Sequence, residues 1–396
     1  MHNLSSFMQN NKTLREVLST LEEGGHTAHL VGGSVRDALL HRASQDFDIA
    51  TSAHPQQVSD LFASKGFAVH ETGIEHGTLT VVTDKIPFEI TTWRRDISTD
   101  GRRATIAFAD NLEDDAMRRD FTINALFADR SGRVLDPTGQ GLNDIKNRRV
   151  RFIGNAETRI REDHLRILRF FRFNALLGTS IDRDSVDFEE CARAAPSVVT
   201  LPAERIGAEV IKLLSQPAPA EAMAAMVASG TTRHFLPDLS QSDEKVGTTL
   251  RGLQTCENEA GIKAEPMRRL AALLFEPPIQ ELRLSKAQTK AFRILKGATD
   301  AGESLAKLAF RNSAEFAKSV AALRAMQSSA EVHPSQFRII EHTVLQEFPL
   351  KAADLMPALT GPALGAALRQ AEDAWIDSDF TLSREDLKDR LSADAA

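Results

Sequence analysis

Tyrosine is absent from the 396 residues, and the chain holds only two tryptophans and two cysteines. Any stacking on a planar ligand therefore falls to the 21 phenylalanines, to Trp, His or Arg. Cys191 and Cys256 stand far apart, with no His or second Cys at metal-ligand spacing. That argues against a disulfide framework or a zinc site and fits a reducing, cytoplasmic setting. Long apolar runs are also missing: the longest uncharged stretch, Leu355 to Leu368, has 14 residues and includes two Pro and two Gly. About 18 apolar residues are needed to span a bilayer. The N-terminus carries Glu16, Glu22 and Glu23 and no small-residue cleavage site. Neither secretion nor a membrane span is expected. Positive charge is short as well, 48 Lys+Arg against 55 Asp+Glu, formally −7. This excludes a protein that coats a polyanion by bulk charge, but not a local basic groove.

What is present suffices for two or three globular domains, with 42% apolar and 26% charged residues. Residues 12–23 place apolar side chains at three- and four-residue steps and stop at Gly24-Gly25, which predicts a helix. The period then shortens. Apolar runs at 28–31, 46–50, 68–70, 78–83, 87–92 and 106–108, with a helical stretch at 55–64, predict a mixed sheet with helices. From about Ile160 the pattern is helical, rich in Ala, Leu, Arg and Glu and broken by prolines. The fold expected is α+β, a mixed-sheet head followed by an all-helical remainder.

Leu30-Val31-Gly32-Gly33-Ser34-Val35-Arg36-Asp37 sets two glycines and a serine between a strand and a helix. Such a turn brings backbone N–H groups close to a phosphate, with the helix N-terminus and Arg36 adding favourable charge. Read alone, it is equally a tight turn with Arg36 on the surface. Asp46-Phe47-Asp48 follows, and on a strand its two carboxylates share one face while Phe47 enters the core. Paired carboxylates repel, and a hard divalent cation relieves them. Glu89 sits in an alternating run that reads as a neighbouring strand. Three acids on two strands suit the two metals of an in-line phosphoryl displacement, although Asp-x-Asp alone also occurs as solvated strand-end acids.

Gly32-Gly33-Ser34-Val35-Arg36-Asp37 followed by Asp46-Phe47-Asp48 resembles the nucleotidyltransferase head of class II tRNA nucleotidyltransferases (CCA-adding enzymes) and bacterial poly(A) polymerases. Two further strings match the same family. Arg118-Arg119-Asp120-Phe121-Thr122-Ile123-Asn124-Ala125 matches its ribose-recognition motif, in which Arg119 suits a triphosphate and Asp120 a ribose hydroxyl. Glu162-Asp163-His164-Leu165-Arg166 matches its Glu-Asp-x-x-Arg helix. If Asp163 and Arg166 share one helical face against a base edge, the acid accepts from an exocyclic amine and the arginine donates to ring nitrogen or carbonyl. Cytosine and adenine carry that amine; uracil and guanine present a carbonyl instead. Such a buried mismatch costs roughly 1–3 kcal/mol. The resemblance extends nucleotide contact to Arg169 and Arg172, but a three-residue step turns a helix by about −60° and leaves Arg172 roughly opposite Asp163. Phe170, Phe171 and Phe173 read as core.

The resemblance implies a polymerase-beta-type nucleotidyltransferase head at 1–143, a helical neck with base recognition at 144–215, and a helical body and tail that bind tRNA at 216–396. It implies template-independent addition of CMP and AMP from CTP and ATP to the tRNA 3′ end, with pyrophosphate released. Mg²⁺ would be held by Asp46 and Asp48, Glu89 would be a third acid or general base, and Gly32, Gly33, Ser34, Arg36 and Asn124 would line the nucleotide. The partners expected are the tRNA 3′ end, ATP and CTP, with no membrane and no protein partner. Residues 92–104, polar and Arg-rich, resemble the family's flexible loop for the final A. The same motifs serve a poly(A) polymerase or an enzyme adding only A, and a silent RNA-binding protein could keep the head. Against polyadenylation, residues 352–396 hold nine acids and four bases. Clustered carboxylates speak against a merely RNA-binding role. No His-Asp dipeptide occurs, so an appended phosphohydrolase domain is not expected.

Overall fold

The β-branched and aromatic runs of the first half form short strands between turn residues, alternating in burial along Thr78–Thr83 and Ile86–Thr92 and buried throughout along Ala28–Val31. The computed structural model describes residues 3–43, 46–71, 73–99, 104–239, 242–328 and 334–394. Nine strands occur among them: β1 (Ala28–Val31), β2 (Phe47–Thr51), β3 (Ala68–His70), β4 (Thr78–Thr83), β5 (Ile86–Thr92), β6 (Arg94–Thr99), β7 (Ala104–Phe108), β8 (Phe127–Ala128) and β9 (Val134–Leu135). Seven build one mixed sheet in the order β3-β4-β5-β2-β1-β8-β9, and β6 and β7 form a hairpin of their own. Within the large sheet only β2 and β5 run parallel, with Phe47 opposite Phe88 and Asp48 opposite Glu89. Phe47 and Phe88 stack at 5.4 Å on the core face, so period two turns Asp48 and Glu89 to the other face. The helices Lys12–Glu23 and Pro55–Ser64 cover the core face; the first buries Leu14, Val17, Leu18 and Leu21.

The stretch expected to be a polar loop at 92–104 is instead largely β-structure. Arg94 to Thr99 pairs antiparallel with Ala104 to Phe108, with an irregularity between Asp96 and Ser98. Thr and Ile in both arms, with Phe108 in the second, favour extended backbone, a preference that the arginines hid. Residues 100–103 lie outside the described residues.

Past Leu135 the described residues contain helices and no strand. The segment around Asp163 departs from the expected continuous helix. Ala156–Glu162 ends where Asp163 turns extended, at φ −154° and ψ 108°, and Leu165–Leu177 begins again two residues later. Asp163 itself accepts the Leu165 N–H at 3.0 Å, serving a free backbone donor at the new helix start. An acid this near a helix start favours such a restart over continuation.

The chain divides into two units, Met1–Asp243 and Glu244–Ala396. The boundaries expected at 143 and 215 both fall inside the first. In the second, the helix Pro266–Leu273 buries Arg268 and Arg269 against the equally buried Glu257, and Arg268 also donates to Ser319. A separate cluster gathers Phe310, Phe348 and Phe380 around Trp375, with ring centroids 4.9–5.4 Å apart.

Candidate active site

Within the first unit, the strand ends, the glycine turn and the helix Leu165–Leu177 enclose a cavity of about 630 Å³. Thirteen of the fourteen residues singled out from the sequence line it: Gly32, Gly33, Ser34, Arg36, Asp46, Asp48, Arg119, Asp120, Asn124, Asp163, Arg166, Arg169 and Arg172. Glu89 does not. Six more were missed: Asp37, Arg118, Leu165, Phe173, Arg205 and Lys212.

The turn is built as a cradle. Gly32 has φ +70°, and a Cβ there would stand 3.2 Å from Arg119 Nη1, so only glycine fits without strain. Gly33 opens the helix Gly33–Leu39. The Ser34 hydroxyl donates to the Asp46 carbonyl at 2.7 Å and accepts the Asp48 N–H at 3.4 Å, tying the turn to the acids.

Asp46 precedes β2 and is exposed, whereas Asp48 is half-buried within it. Burial and the charge of Glu89 push the Asp48 carboxyl above its ordinary value, against the pull of Arg119. A carboxylate in that position gains from a cation. The expected trio is not gathered, however: among the described residues no group of three or more His, Cys, Asp or Glu is arranged to hold a metal. Glu89 is exposed on β5 and acts on Asp48 through charge. Of the acids lining the cavity, Asp46 and Asp48 stand one residue apart on the same strand end, a pair that fits a hard divalent ion.

Around them the cations are held in order. Arg36 is clamped by Asp37 at 2.9 and 3.0 Å and donates to Asn124 Oδ1 at 2.7 Å. Asn124 in turn donates to Asp120 at 3.0 Å, and Arg169 reaches the other Asp120 oxygen at 2.6 Å. Burial raises the Asp120 carboxyl, but Arg169 and Asn124 outweigh it and hold the acid below its ordinary range. Both Asp120 oxygens are thus engaged by Arg169, Asn124 and the Phe121 N–H, and a sugar hydroxyl has to share them. Arg118 and Arg119 are both anchored on Asp115, whose carboxyl burial raises and the two arginines hold low.

The pair expected to read the base is brought to the cavity by a different geometry from the one expected. Asp163 lies at the helix break and Arg166 on the helix, so the two do not share one helical face. Arg166 is fixed by Glu162, by the Arg159 carbonyl at 2.8 Å and by the Arg118 carbonyl at 3.3 Å. Asp163 lies outside the helix that carries Arg172, so the expected rotation of Arg172 away from it does not apply. Arg166, Arg169 and Arg172 all face the cavity, and Glu209 holds Arg172 at 2.5 Å. Phe173 is buried as expected, yet three guanidiniums converge on its ring: Arg172 at 4.0 Å, Arg36 at 5.0 Å and Arg169 at 5.2 Å. An aromatic core position beside an Arg-x-x-Arg stripe was the one signal for it in the sequence.

Comparison with known proteins shows what the chain is similar to. Residues 28–151 match a family model described as the Poly A polymerase head domain, and residues 188–242 match one described as "Probable RNA and SrmB- binding site of polymerase A". A CCA-adding enzyme of Streptococcus sanguinis is 33% identical over 390 residues, covering 91% of this chain and 92% of its own. One from Streptococcus gordonii is 41% identical over 233 residues, 58% of this chain and 56% of its own. The crystal structure of the Bacillus stearothermophilus CCA-adding enzyme in complex with CTP superposes with a TM-score of 0.76 at 26% identity, covering 97% of each chain. The Thermotoga maritima enzyme complexed with tRNA shares the fold, with a TM-score of 0.66 at 18% identity over 100% of this chain and 99% of its own. With the head motifs set around one cavity and likeness along nearly the whole length, the chain belongs to the CCA-adding enzyme family of tRNA nucleotidyltransferases.

Proposed function

We propose that the protein adds C, C and A to the 3′ end of tRNA from CTP and ATP without a nucleic-acid template, releasing pyrophosphate. The observation that carries this is the single cavity in which the glycine turn, the Asp46 and Asp48 carboxylates and the Asp163 and Arg166 side chains meet. The backbone at Gly32 and Gly33 approaches the triphosphate, and Arg36 and Arg119 supply charge from fixed positions. Asp120 and Asn124 stand toward the ribose. Asp163 accepts from the exocyclic amine of C or A and Arg166 donates to the ring, which disfavours U and G.

Family membership implies dependence on a divalent metal; we assign Mg²⁺, with Asp46 and Asp48 as its ligands and Glu89 as the acid that reinforces Asp48. When bound, the ion supplies Lewis-acid stabilisation of the attacking hydroxyl and of the triphosphate charge. No helix among the described residues is long and apolar enough to cross a membrane. We infer a cytoplasmic setting, in keeping with two buried free cysteines.

The test supplies the protein and Mg²⁺ with tRNAs ending before CCA, after C and after CC, and each nucleoside triphosphate singly. Ordered C, C, A addition that then stops is expected. A-tailing of unrelated RNA would identify a poly(A) polymerase instead.

A further inference from the structure

Asp163 sits at a break between helices, where the backbone alone does not hold its side chain in one plane. Two donors from separate elements do so instead. The Leu165 N–H meets Oδ1 at 3.0 Å, and Arg205 Nη2 meets Oδ2 at 2.9 Å. Arg205 stands in the first turn of the helix Ala203–Leu214, which packs along Leu165–Leu177 and buries Ile206, Val210, Leu213 and Leu214. One turn further, Glu209 holds Arg172. The face carrying Arg205 and Glu209 thus steadies one acid and one cation of the cavity wall from a packed platform. Asp163 and Arg205 are 30% and 35% exposed at their side chains, so the pair borders the cavity and is not buried away from it.

We propose that Arg205 is a specificity-determining positioning residue, which fixes the Asp163 carboxylate so that its remaining acceptor directions point at the amine of an incoming C or A. This rests on the base reading given above. Each Asp163 oxygen has one acceptor direction occupied by the protein and one left. With the Leu165 bond alone, the carboxylate swings about it and no longer presents a fixed acceptor where U and G carry a carbonyl. The penalty on those bases then falls, while the triphosphate contacts, made by other residues, stay as they were.

The test measures kcat and KM for single additions of CTP and UTP to tRNA lacking CCA, and of ATP and GTP to tRNA ending after CC. The full-length protein is compared with Arg205→Ala, Arg205→Lys and Asp163→Ala. Arg205→Ala is expected to lower the CTP:UTP and ATP:GTP preferences about tenfold, the size of one buried hydrogen-bond mismatch. Arg205→Lys keeps a donor and should restore most of the preference. An equal loss for all four nucleotides in Arg205→Ala, with preferences unchanged, overturns the proposal when Asp163→Ala does alter them. Unchanged preference in Asp163→Ala overturns the base reading itself. Where the alanine variant yields no folded protein, Arg205→Gln, matched in circular dichroism to the parent, is judged by the same ratios.

Discussion

Replacing Phe173 by leucine removes the aromatic face beneath three guanidiniums and keeps an apolar side chain of similar bulk. The ring is 3% exposed, and Arg172, Arg36 and Arg169 lie 4.0, 5.0 and 5.2 Å from its centroid. A cation over a ring contributes about 0.5–1 kcal/mol when hydrated and about 2 kcal/mol when desolvated. Arg36 and Arg172 belong near the desolvated end, with side chains 7% and 12% exposed, and Arg169, at 32%, near the other. Each arginine keeps its carboxylate on Asp37, Asp120 or Glu209, so the full sum is not lost. We expect about 2–3 kcal/mol lower stability, because three like charges then face one another without the ring's negative face between them. The same disorder should raise the KM for CTP and ATP roughly tenfold, with a smaller fall in kcat. Urea unfolding, with steady-state incorporation of CTP on tRNA ending before CCA and of ATP on tRNA ending after CC, measures both. A Phe173→Leu protein with parental stability and parental KM would refute the view that the ring organises the cations.

Other expectations follow from the same geometry. Asp48→Asn should abolish incorporation and leave the melting temperature unchanged or higher, since burial and Glu89 already disfavour that carboxylate; retained incorporation would remove Asp48 from the reaction. Glu257→Gln strands two buried guanidiniums in the second unit and should cost about 3–5 kcal/mol in calorimetry, and a melting point within a degree or two of the parent would contradict it. Burial pushes Asp187 up to about 6 against Arg149 and Arg151, so its stabilising contribution is complete below about pH 4 and is lost as pH rises through 6. Asp187→Asn should therefore gain about 2 kcal/mol on the parent between pH 4 and pH 7.5 in parallel melts, and a difference that does not vary with pH would exclude it.

Which parts of this were legible in the sequence follows from whether the governing interaction is local. The helices Lys12–Glu23 and Pro55–Ser64 and the strands of the sheet were readable, because spacing alone sets which side chains face a core. The glycine turn and the acids were readable as motifs, since each needs specific residues at fixed offsets. The break at Asp163 was not, because Glu162, Arg166 and the surrounding Leu and Ile fit a continuous helical pattern, and only the Leu165 N–H bond reveals the interruption. Glu209 and Arg205 were missed for another reason: each acts on a partner placed by tertiary structure, 37 and 42 residues away.

The charge of the chain shows the same limit in one quantity. Between Asp144 and Arg172 nine Lys+Arg face four Asp+Glu, a local +5 within a total of −7. That window supplies only Arg166, Arg169 and Arg172 to the cavity; Arg36, Arg118, Arg119, Arg205 and Lys212 come from elsewhere. Most of these cations are already paired with Asp37, Asp115, Asp120, Glu162, Asp163 or Glu209, while Lys212 at the rim makes no ion pair among the described residues. Pairing of this kind adds little net charge but fixes direction, and direction is what discrimination between an amine and a carbonyl requires. An acidic protein can therefore act on a polyanion's end without attracting its whole length, because seven of its guanidiniums are oriented into one cavity while the chain as a whole stays negative.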